Sequence, residues 1–453
     1  MRHIPYTPSA SLLLLSVATT SLAAQQPPAP RPLGAVVRTT AEPFGSIMSV
    51  RHLPDGRVLV NDVARRRVLL LEPDLARYTV VADSTSATSN AYSGRMGNLI
   101  PYRGDSTLFV DPAALSMLVI DPAGKVGRVM SVPRADDAMA LASVGAGTPG
   151  FDARGRLVYR ASTRLRMAPG ASGERSSGIP SFPDSSPILR VDLATRAVDT
   201  VAFVKVPAMR LRMVEGGDGQ SRSMTNVINP LPLTDDWAVT SEGRVAVIRG
   251  RDYHVDWFEA DGSKRSSPKI AFDWQRMDDE AKVAFLDSTK AAMERARANA
   301  ASSPEGTRRV VGSGDGDAAA IAGEGAMPMV RVNIATGEGG PPPRRQGGEG
   351  APGAMRMAMA APTFVSPSEL PDYKPPFAPG AARADADGNV WVREIPTKPY
   401  PGPVYDVIDR NGQLVDRVIV PAGSAIAGFG PGGIVYLGVR DSRGVHLKQA
   451  TVK

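Results

Sequence analysis

The phrase DGRVLVND, Asp55 to Asp62, returns far downstream as DGNVWVRE, Asp387 to Glu394. In both, an Asp-Gly pair precedes a short apolar run that ends on polar residues. Glycine supplies the positive φ of a tight hairpin turn. A run this short, rich in β-branched residues and bounded by turn residues, reads as a strand rather than a helix. The same form recurs as GDSTLFVD from Gly104, RGRLVYRA from Arg154, EGRVAVIR from Glu242 and GGIVYLGV from Gly432. Each phrase leads into a second apolar strand: VLLLEPD from Val68, MLVIDPAG from Met117, ILRVDLAT from Ile188, VDWFEADG from Val255, YDVIDRNG from Tyr405 and VHLKQATV from Val445. After all but the last comes another strand, as in RYTVVAD from Arg77 and LVDRVIVP from Leu414.

With the strand before each turn glycine, the unit is four strands long, and repetition of such units is the signature of a β-propeller. The expectation is an all-β chain: a six-bladed β-propeller of four-stranded blades. The last unit lacks its outer strand because the chain ends. The orphan strand GAVVRTT, Gly34–Thr40, is placed to complete that blade and close the ring, which would leave no raw sheet edge at the seam.

The units HLPDGRVLVNDVARRRVLLLEPD and ADADGNVWVRE with YDVIDRNG resemble the NHL-type (TolB-like) six-bladed propellers, whose blade consensus is a D-G turn, a short strand, a polar pair and a strand ending in D-x-x-G. That resemblance implies fold more than function, since such propellers include scaffolds, ligand binders and a minority of enzymes. Sugar-lactone hydrolases of the same shape hold a divalent metal in the channel with Glu, Asn and Asp, and NHL-type amidating lyases use His ligands for zinc.

Three stretches break the repeat: Ala161–Pro187 inside the third blade, Val206–Leu231 between the third and fourth, and Trp274–Pro379 between the fourth and fifth. In an up-and-down blade these loops leave on one face, where binding residues concentrate. Within the longest, Arg276–Asn299 reads as a helix with the stripe Met277, Ala281, Ala284, Phe285, Ala292 and Ala296. Ala301–Ala361, rich in Gly, Ala and Pro, reads as disordered, and SELPDYKPPFAP after it as an extended segment. The layout is then a leader over 1–24 and one domain over 25–453. That domain holds the closing strand and blades 1–4 over 34–273, the insertion over 274–379 and blades 5–6 over 380–453.

The leader is read from Arg2, the apolar run Ser11–Val17 and the small-residue exit SLAAQQ, which together form a secretory signal. The apolar run is too short to span a membrane, so the mature protein is expected to be secreted or periplasmic, without a membrane span. The chain has no Cys, which excludes disulfides and thiolate ligands. The net charge of +7 is dispersed and gives no basic stripe for nucleic acid.

The residues ending each second strand should gather at the channel mouth: Asn61 and Asp62, Asp111, Arg160, Arg249, Arg393 and Glu394, and Leu437 and Gly438. Guanidinium forks suit a carboxylate, phosphate or sulfate. The competing reading is that the Arg residues and the carboxylates Asp62, Asp111 and Glu394 simply pair and line the channel. The polar turn Arg251, Asp252, Tyr253 and His254 is a further contact candidate. The expected function is therefore a noncatalytic, monomeric propeller binding a small anionic molecule, a glycan or a cell-envelope protein, with no cofactor. The alternative is a metal-assisted hydrolase or lyase, with Asn61, Asp62, Asp111 and Glu394 as oxygen donors for Ca²⁺ or another divalent ion. His52, His254 and His446 form no evident cluster, which argues against zinc or a Ser/His/Asp triad. GSGDGD at Gly312–Asp317 lacks the third glycine of a nucleotide loop, RGD at Arg103–Asp105 is a hairpin turn, and Trp237, Trp257 and Trp391 are expected in the core.

Overall fold

Turn chemistry sets the architecture. In the computed structural model, which describes residues 27–85, 92–94, 96–145, 147–163, 182–215, 222–302, 358–359 and 362–452, the turn glycines Gly56, Gly104, Gly155, Gly243, Gly388 and Gly432 all have positive φ, between 59° and 88°. At Gly243 a Cβ would also stand 2.5 Å from the Ala153 amide nitrogen, so the site excludes any side chain twice over.

The strands, in chain order, open with β1 (Arg31–Pro32) and β2 (Val36–Thr39). Sheet 1 is β3 (Ile47–His52), β4 (Val58–Asp62), β5 (Arg67–Leu71) and β6 (Tyr78–Ala82). Sheet 2 is β7 (Asn98–Pro101), β8 (Thr107–Asp111), β9 (Ser116–Ile120) and β10 (Val126–Ser131), followed by the short helix α1 (Ala138–Ala142). Sheet 3 is β11 (Gly150–Phe151), β12 (Leu157–Arg160), β13 (Ser185–Val191) and β14 (Val198–Lys205). A hairpin, β15 (Arg210–Glu215) and β16 (Arg222–Ile228), comes next. Sheet 4 is β17 (Asp236–Val239), β18 (Val245–Arg249), β19 (His254–Phe258) and β20 (Lys264–Ser266). Helix α2 (Asp279–Ser302) and the two-residue strands β21 (Ala358–Met359) and β22 (Thr363–Phe364) follow. Sheet 5 is β23 (Phe377–Ala384), β24 (Val390–Glu394), β25 (Val404–Ile408) and β26 (Leu414–Ile419). Sheet 6 is β27 (Ser424–Gly430), β28 (Ile434–Asp441) and β29 (Gly444–Thr451), with β2 as its fourth member.

Within each of these sheets neighbouring strands run antiparallel, and first strands of successive sheets lie against each other: β27 on β3, β3 on β7, β7 on β11, β11 on β17 and β17 on β23. The fold is all-β, with few helices, and of the β-propeller kind. The N-terminal strand pairs where the repeat had left a vacancy, Val36 opposite Ala450 and Thr39 opposite Lys448. Just before it, β1 adds in parallel to the outer edge of sheet 5, and the Arg31 fork grips Asp416 at 3.0 and 2.5 Å.

The core lies between sheets. Leu59, Leu70, Phe109 and Leu118 join sheets 1 and 2; Ala246, Ile248, Val390 and Val392 join 4 and 5; Trp391, Tyr405, Val435 and Leu437 join 5 and 6; Val58, Val60, Leu69, Tyr436 and Leu447 join 6 and 1. Trp237, Trp257 and Trp391 are all buried, as expected. Arginines just after the turn glycines tie successive sheets: Arg57 donates to Pro122 O, Arg156 to Ala260 O and Arg244 to Arg410 O, at 2.6–3.0 Å.

The insertions depart from expectation. Val206–Leu231 contains a hairpin rather than a plain loop, and β21 and β22 from the later insertion pair in parallel with β16. Ala358–Met359, expected to be disordered, therefore has a partner; backbone pairing with a strand distant in sequence is invisible to local composition. The leader over 1–24, the bulk of Ala301–Ala361 including GSGDGD, and 164–181 lie outside the described residues. Helix α2 starts and ends three residues later than expected, and its buried face is Lys282, Leu286 and Thr289; Ala281 and Ala284 face outward. Alanines carry little apolar area, so the stronger anchor, Leu286, sets the face, and Lys282 is accommodated because its amine reaches Asp372 at 2.7 Å. Val227, Leu231, Met277, Leu286, Val365 and Leu370 make one apolar cluster, with Ile395, just past β24, against it. SELPDYKPPFAP is not wholly extended: Pro367–Glu369 form a turn of 3₁₀ helix closed by a Ser366–Glu369 capping box.

Candidate functional site

The second-strand ends do different work in different sheets. In sheet 1, Asp62 accepts hydrogen bonds from the backbone N–H of Gly45 and Ser46, both at 3.1 Å, and Arg67 approaches it at 3.4 Å. Asn61 donates to Gly97 O at 2.8 Å and accepts from the Tyr92 hydroxyl at 3.0 Å. In sheet 2, Asp111 accepts from Ser93 N at 2.8 Å, Ser93 Oγ at 2.7 Å and Ala113 N at 3.1 Å. Both carboxylates are buried and clamp the segment leading into their own sheet. The turn they begin closes four residues on at Arg66 and Leu115, both in the left-handed region.

In sheet 3 the equivalent residue is Arg160. Its Nε is buried and has no hydrogen-bond partner. Burial pulls its guanidinium pKa down, and the nearby Asp236 carboxylate opposes this. Asp236 begins β17, accepts from Trp237 N at 2.8 Å and Ala382 N at 2.9 Å, and has its pKa raised by burial. Beside Ala382, Arg383 donates to Val144 O at 2.5 Å. Asp236, at the start of sheet 4's first strand, thus bonds the sheet 5 backbone and feels the charges of both Arg160 and Arg383.

In sheet 4, Arg249 is paired with two acids: Nε donates to Asp256 at 2.9 Å, and Nη1 to Asp235 at 2.7 Å and Phe203 O at 3.0 Å. Burial raises the Asp256 pKa, but hydrogen bonds from Ser266, Arg249 and Lys264 outweigh it and hold the carboxyl at about 2. Of the polar turn, Arg251 is exposed, and Asp252 meets His254 Nδ1 at 3.1 Å. Tyr253 is buried at φ +40°, the left-handed position that Arg66 and Leu115 occupy in their turns. It points away from any surface contact, and its hydroxyl donates to Asp406 of sheet 5 at 2.6 Å.

Sheet 5 carries the densest buried charge. Arg393 sits half-buried on β24 opposite Tyr405. Glu394 Oε2 accepts from Arg417 Nη2 at 2.6 Å, while Glu394 Oε1 is buried without a partner. Arg417 Nε donates to Asp406 at 3.1 Å, and its Nη1 to Pro28 O at 3.4 Å. Burial, aided by the Glu394 charge, pushes the Asp406 carboxyl up to about 7 against the lowering effects of Tyr253 and Arg417. Burial raises Glu394 as well.

Of the ten candidates, Glu394 and Tyr253 meet in one network, whereas Asp62, Asp111, Arg160 and Arg249 each serve a separate sheet. Sequence reasoning missed Asp406, Arg417, Asp236 and Arg383. The first two had a signal: an acid in VYDVI and a base in LVDRV sit mid-strand, and pairing the strands sets Asp406 opposite Arg417. Asp236 and Arg383 had none, because their meeting depends on packing between sheets.

The four proposed metal donors do not fit a divalent ion. Asn61, Asp62 and Asp111 are committed to amides and hydroxyls, and Glu394 to a guanidinium, which opposes a cation. Among the described residues no group of three or more His, Asp or Glu is placed to hold a metal. His52 bonds the Tyr436 hydroxyl at 2.8 Å and His446 the Thr40 carbonyl at 2.9 Å, each apart from His254. Among the described residues no helix is long and apolar enough to cross a membrane.

No protein-family model matches the chain, and no curated protein matches it. Among solved structures, a virginiamycin B lyase from Staphylococcus aureus is similar at 10% identity, over 92% of this chain and 99% of its own, with a TM-score of 0.34. A calcium-binding regucalcin from Agrobacterium tumefaciens is similar at 10% identity, over 93% and 96%, with a TM-score of 0.34. A gluconolactonase from Xanthomonas campestris is similar at 11% identity, over 93% and 99%, with a TM-score of 0.33. These likenesses are distant and transfer no activity to this chain.

Proposed function

We propose that the chain is an exported, noncatalytic, closed six-bladed β-propeller that takes a small anionic molecule, or a glycan or protein presenting one, on the face carrying its insertions. Six sheets with turn glycines in register, and the pairing of β2 with β29, support the ring. The joint sheet of the two later insertions, and their apolar cluster against Ile395, support a built face beside the ends of the second strands.

The observation that carries the anion reading is Arg160. It ends a second strand half-buried, desolvated, and with an unmade hydrogen bond at Nε. A guanidinium in that condition gains from a carboxylate or phosphate oxygen, whereas the charge of Arg249 is already met by Asp235 and Asp256. The test is a thermal-shift screen of organic acids and sugar phosphates, followed by calorimetry on the hits. A hit should bind at least about tenfold more weakly to Arg160→Met, the loss of one charge-assisted contact, and equally well to Arg249→Met. The reading fails if no anion raises the melting temperature, or if Arg160→Met binds as tightly as the parent protein.

A further inference from the structure

Two carboxylates, one guanidinium and one phenol meet where three segments join. Tyr253 comes from the turn of sheet 4; Glu394, Asp406 and Arg417 come from three adjacent strands of sheet 5; and Pro28 O belongs to the N-terminal segment that continues into β1. The side chains of Glu394 and Asp406 are 2% and 1% exposed, and Arg417 is 12% exposed, so this is one dry cluster. With both acids ionised it holds two negative charges against one positive. With one proton it balances, and the unpartnered Glu394 Oε1 is the atom left over when both are ionised. Tyr400 also bears on Arg417, and Arg393 and Tyr405 flank Glu394 and Asp406 along β24 and β25.

We propose that Glu394 and Asp406 form a proton-operated latch on the seam between sheets 4 and 5, holding the N-terminal segment Pro28–Leu33 in place while they carry one proton between them and loosening it when that proton is lost to solvent. The two acids titrate as a pair, and the proton belongs to the pair. Like charges this close in a dry site disfavour double ionisation. Arg417 transmits the change, since the same guanidinium binds both acids and the Pro28 carbonyl. The Arg31–Asp416 pair and the β1–β26 ladder then hold the segment alone.

The direction follows from the raised carboxyl. In the loosened seam the acids return to ordinary carboxylate behaviour, near pH 4. The one-proton latch is therefore lost progressively as pH rises to about 7, where Asp406 titrates in the closed state. Hydrogen exchange of the full chain, corrected for the intrinsic rate, reads it directly. Peptides covering 28–35 and 414–420 should exchange at least about tenfold faster at pH 7.5 than at pH 5, while the peptide covering 58–62 changes less than about twofold. In Asp406→Asn the rise should vanish. Glu394→Gln, which removes the like charge while leaving an acceptor for Arg417, should flatten it too and stands in if Asp406→Asn does not fold. A flat parent profile, or a variant that keeps the parent slope, overturns the latch.

Discussion

Replacing Asp62 separates a clamp from a ligand site. The Asp62→Ala change strips acceptors from the half-buried amides of Gly45 and Ser46 and leaves the partly exposed Arg67 without its counter-charge. Each orphaned amide costs about 1–2 kcal/mol, toward the lower end of the range because the donors are not fully buried. The ion pair adds little at its exposed end. The expected loss is about 2–4 kcal/mol. Asp62→Asn is the control, because both amides donate to Oδ1, which asparagine can reproduce, so that variant should lose about 1 kcal/mol. Urea denaturation should move the midpoint in this order while the slope stays constant. Faster exchange at Gly45 and Ser46 in the alanine variant would locate the damage. An alanine variant that unfolds at the parent midpoint yet loses a ligand would refute the clamp.

Arg57, Arg156 and Arg244 each reach a carbonyl of the next sheet, so methionine at any one should cost about 1 kcal/mol, and the triple variant about the sum in a denaturant titration, since the sites are separate. Tyr253→Phe removes a hydrogen bond that lowers the Asp406 pKa; the carboxyl should titrate above about 7, the pH window of seam loosening should extend upward, and stability at neutral pH should fall by about 1–2 kcal/mol. Leu286→Asp places a charge in the cluster that joins α2 to β16, and limited proteolysis should then cut within 274–302 while the sheets keep the parent melting temperature.

The sheets were legible because their determinants are local. A glycine needing positive φ, a β-branched run and a second turn recur in each unit, and the structure places those glycines in the expected conformation. The vacancy after VHLKQATVK and the spare strand near the N-terminus are complementary in the sequence itself, and β2 pairs with β29. The β16–β21 pairing could not be read there, because two-residue strands carry no periodicity. Site chemistry was legible at the level of residue type alone. Arg249 looked like an anion fork until Asp235 and Asp256 were seen to fill it, and Tyr253 read as a surface contact although its φ and burial turn it inward.

At the second-strand end Arg stands in sheets 3 and 4 where Asp stands in sheets 1 and 2, and in both the clamping acid lies elsewhere. In sheets 1 and 2 a tight turn follows the strand, and the carboxylate at its first position can reach back to the lead-in segment. In sheet 3 a long excursion replaces that turn, and the clamp has moved to Asp137, which accepts from Ser162 N at 2.9 Å and from the Tyr159 hydroxyl at 3.2 Å. In sheet 4 it has moved to Asp235, which accepts from Lys205 N at 3.0 Å and Gly250 N at 3.3 Å, with Arg249 bridging it to Asp256. Once an acid elsewhere closes the loop, the strand-end position is freed for a base, and its fate depends on what surrounds it. Arg249 found two acids and became structural. Arg160 shares Asp236 with Arg383, and that carboxylate is already capped by two amides, so its guanidinium keeps unmet capacity. On the proposed reading, a carboxylate supplied beside Arg160 should extinguish anion capture: Ala161→Asp should abolish it in a variant whose far-UV circular dichroism matches the parent, and retained capture would remove Arg160 from the site.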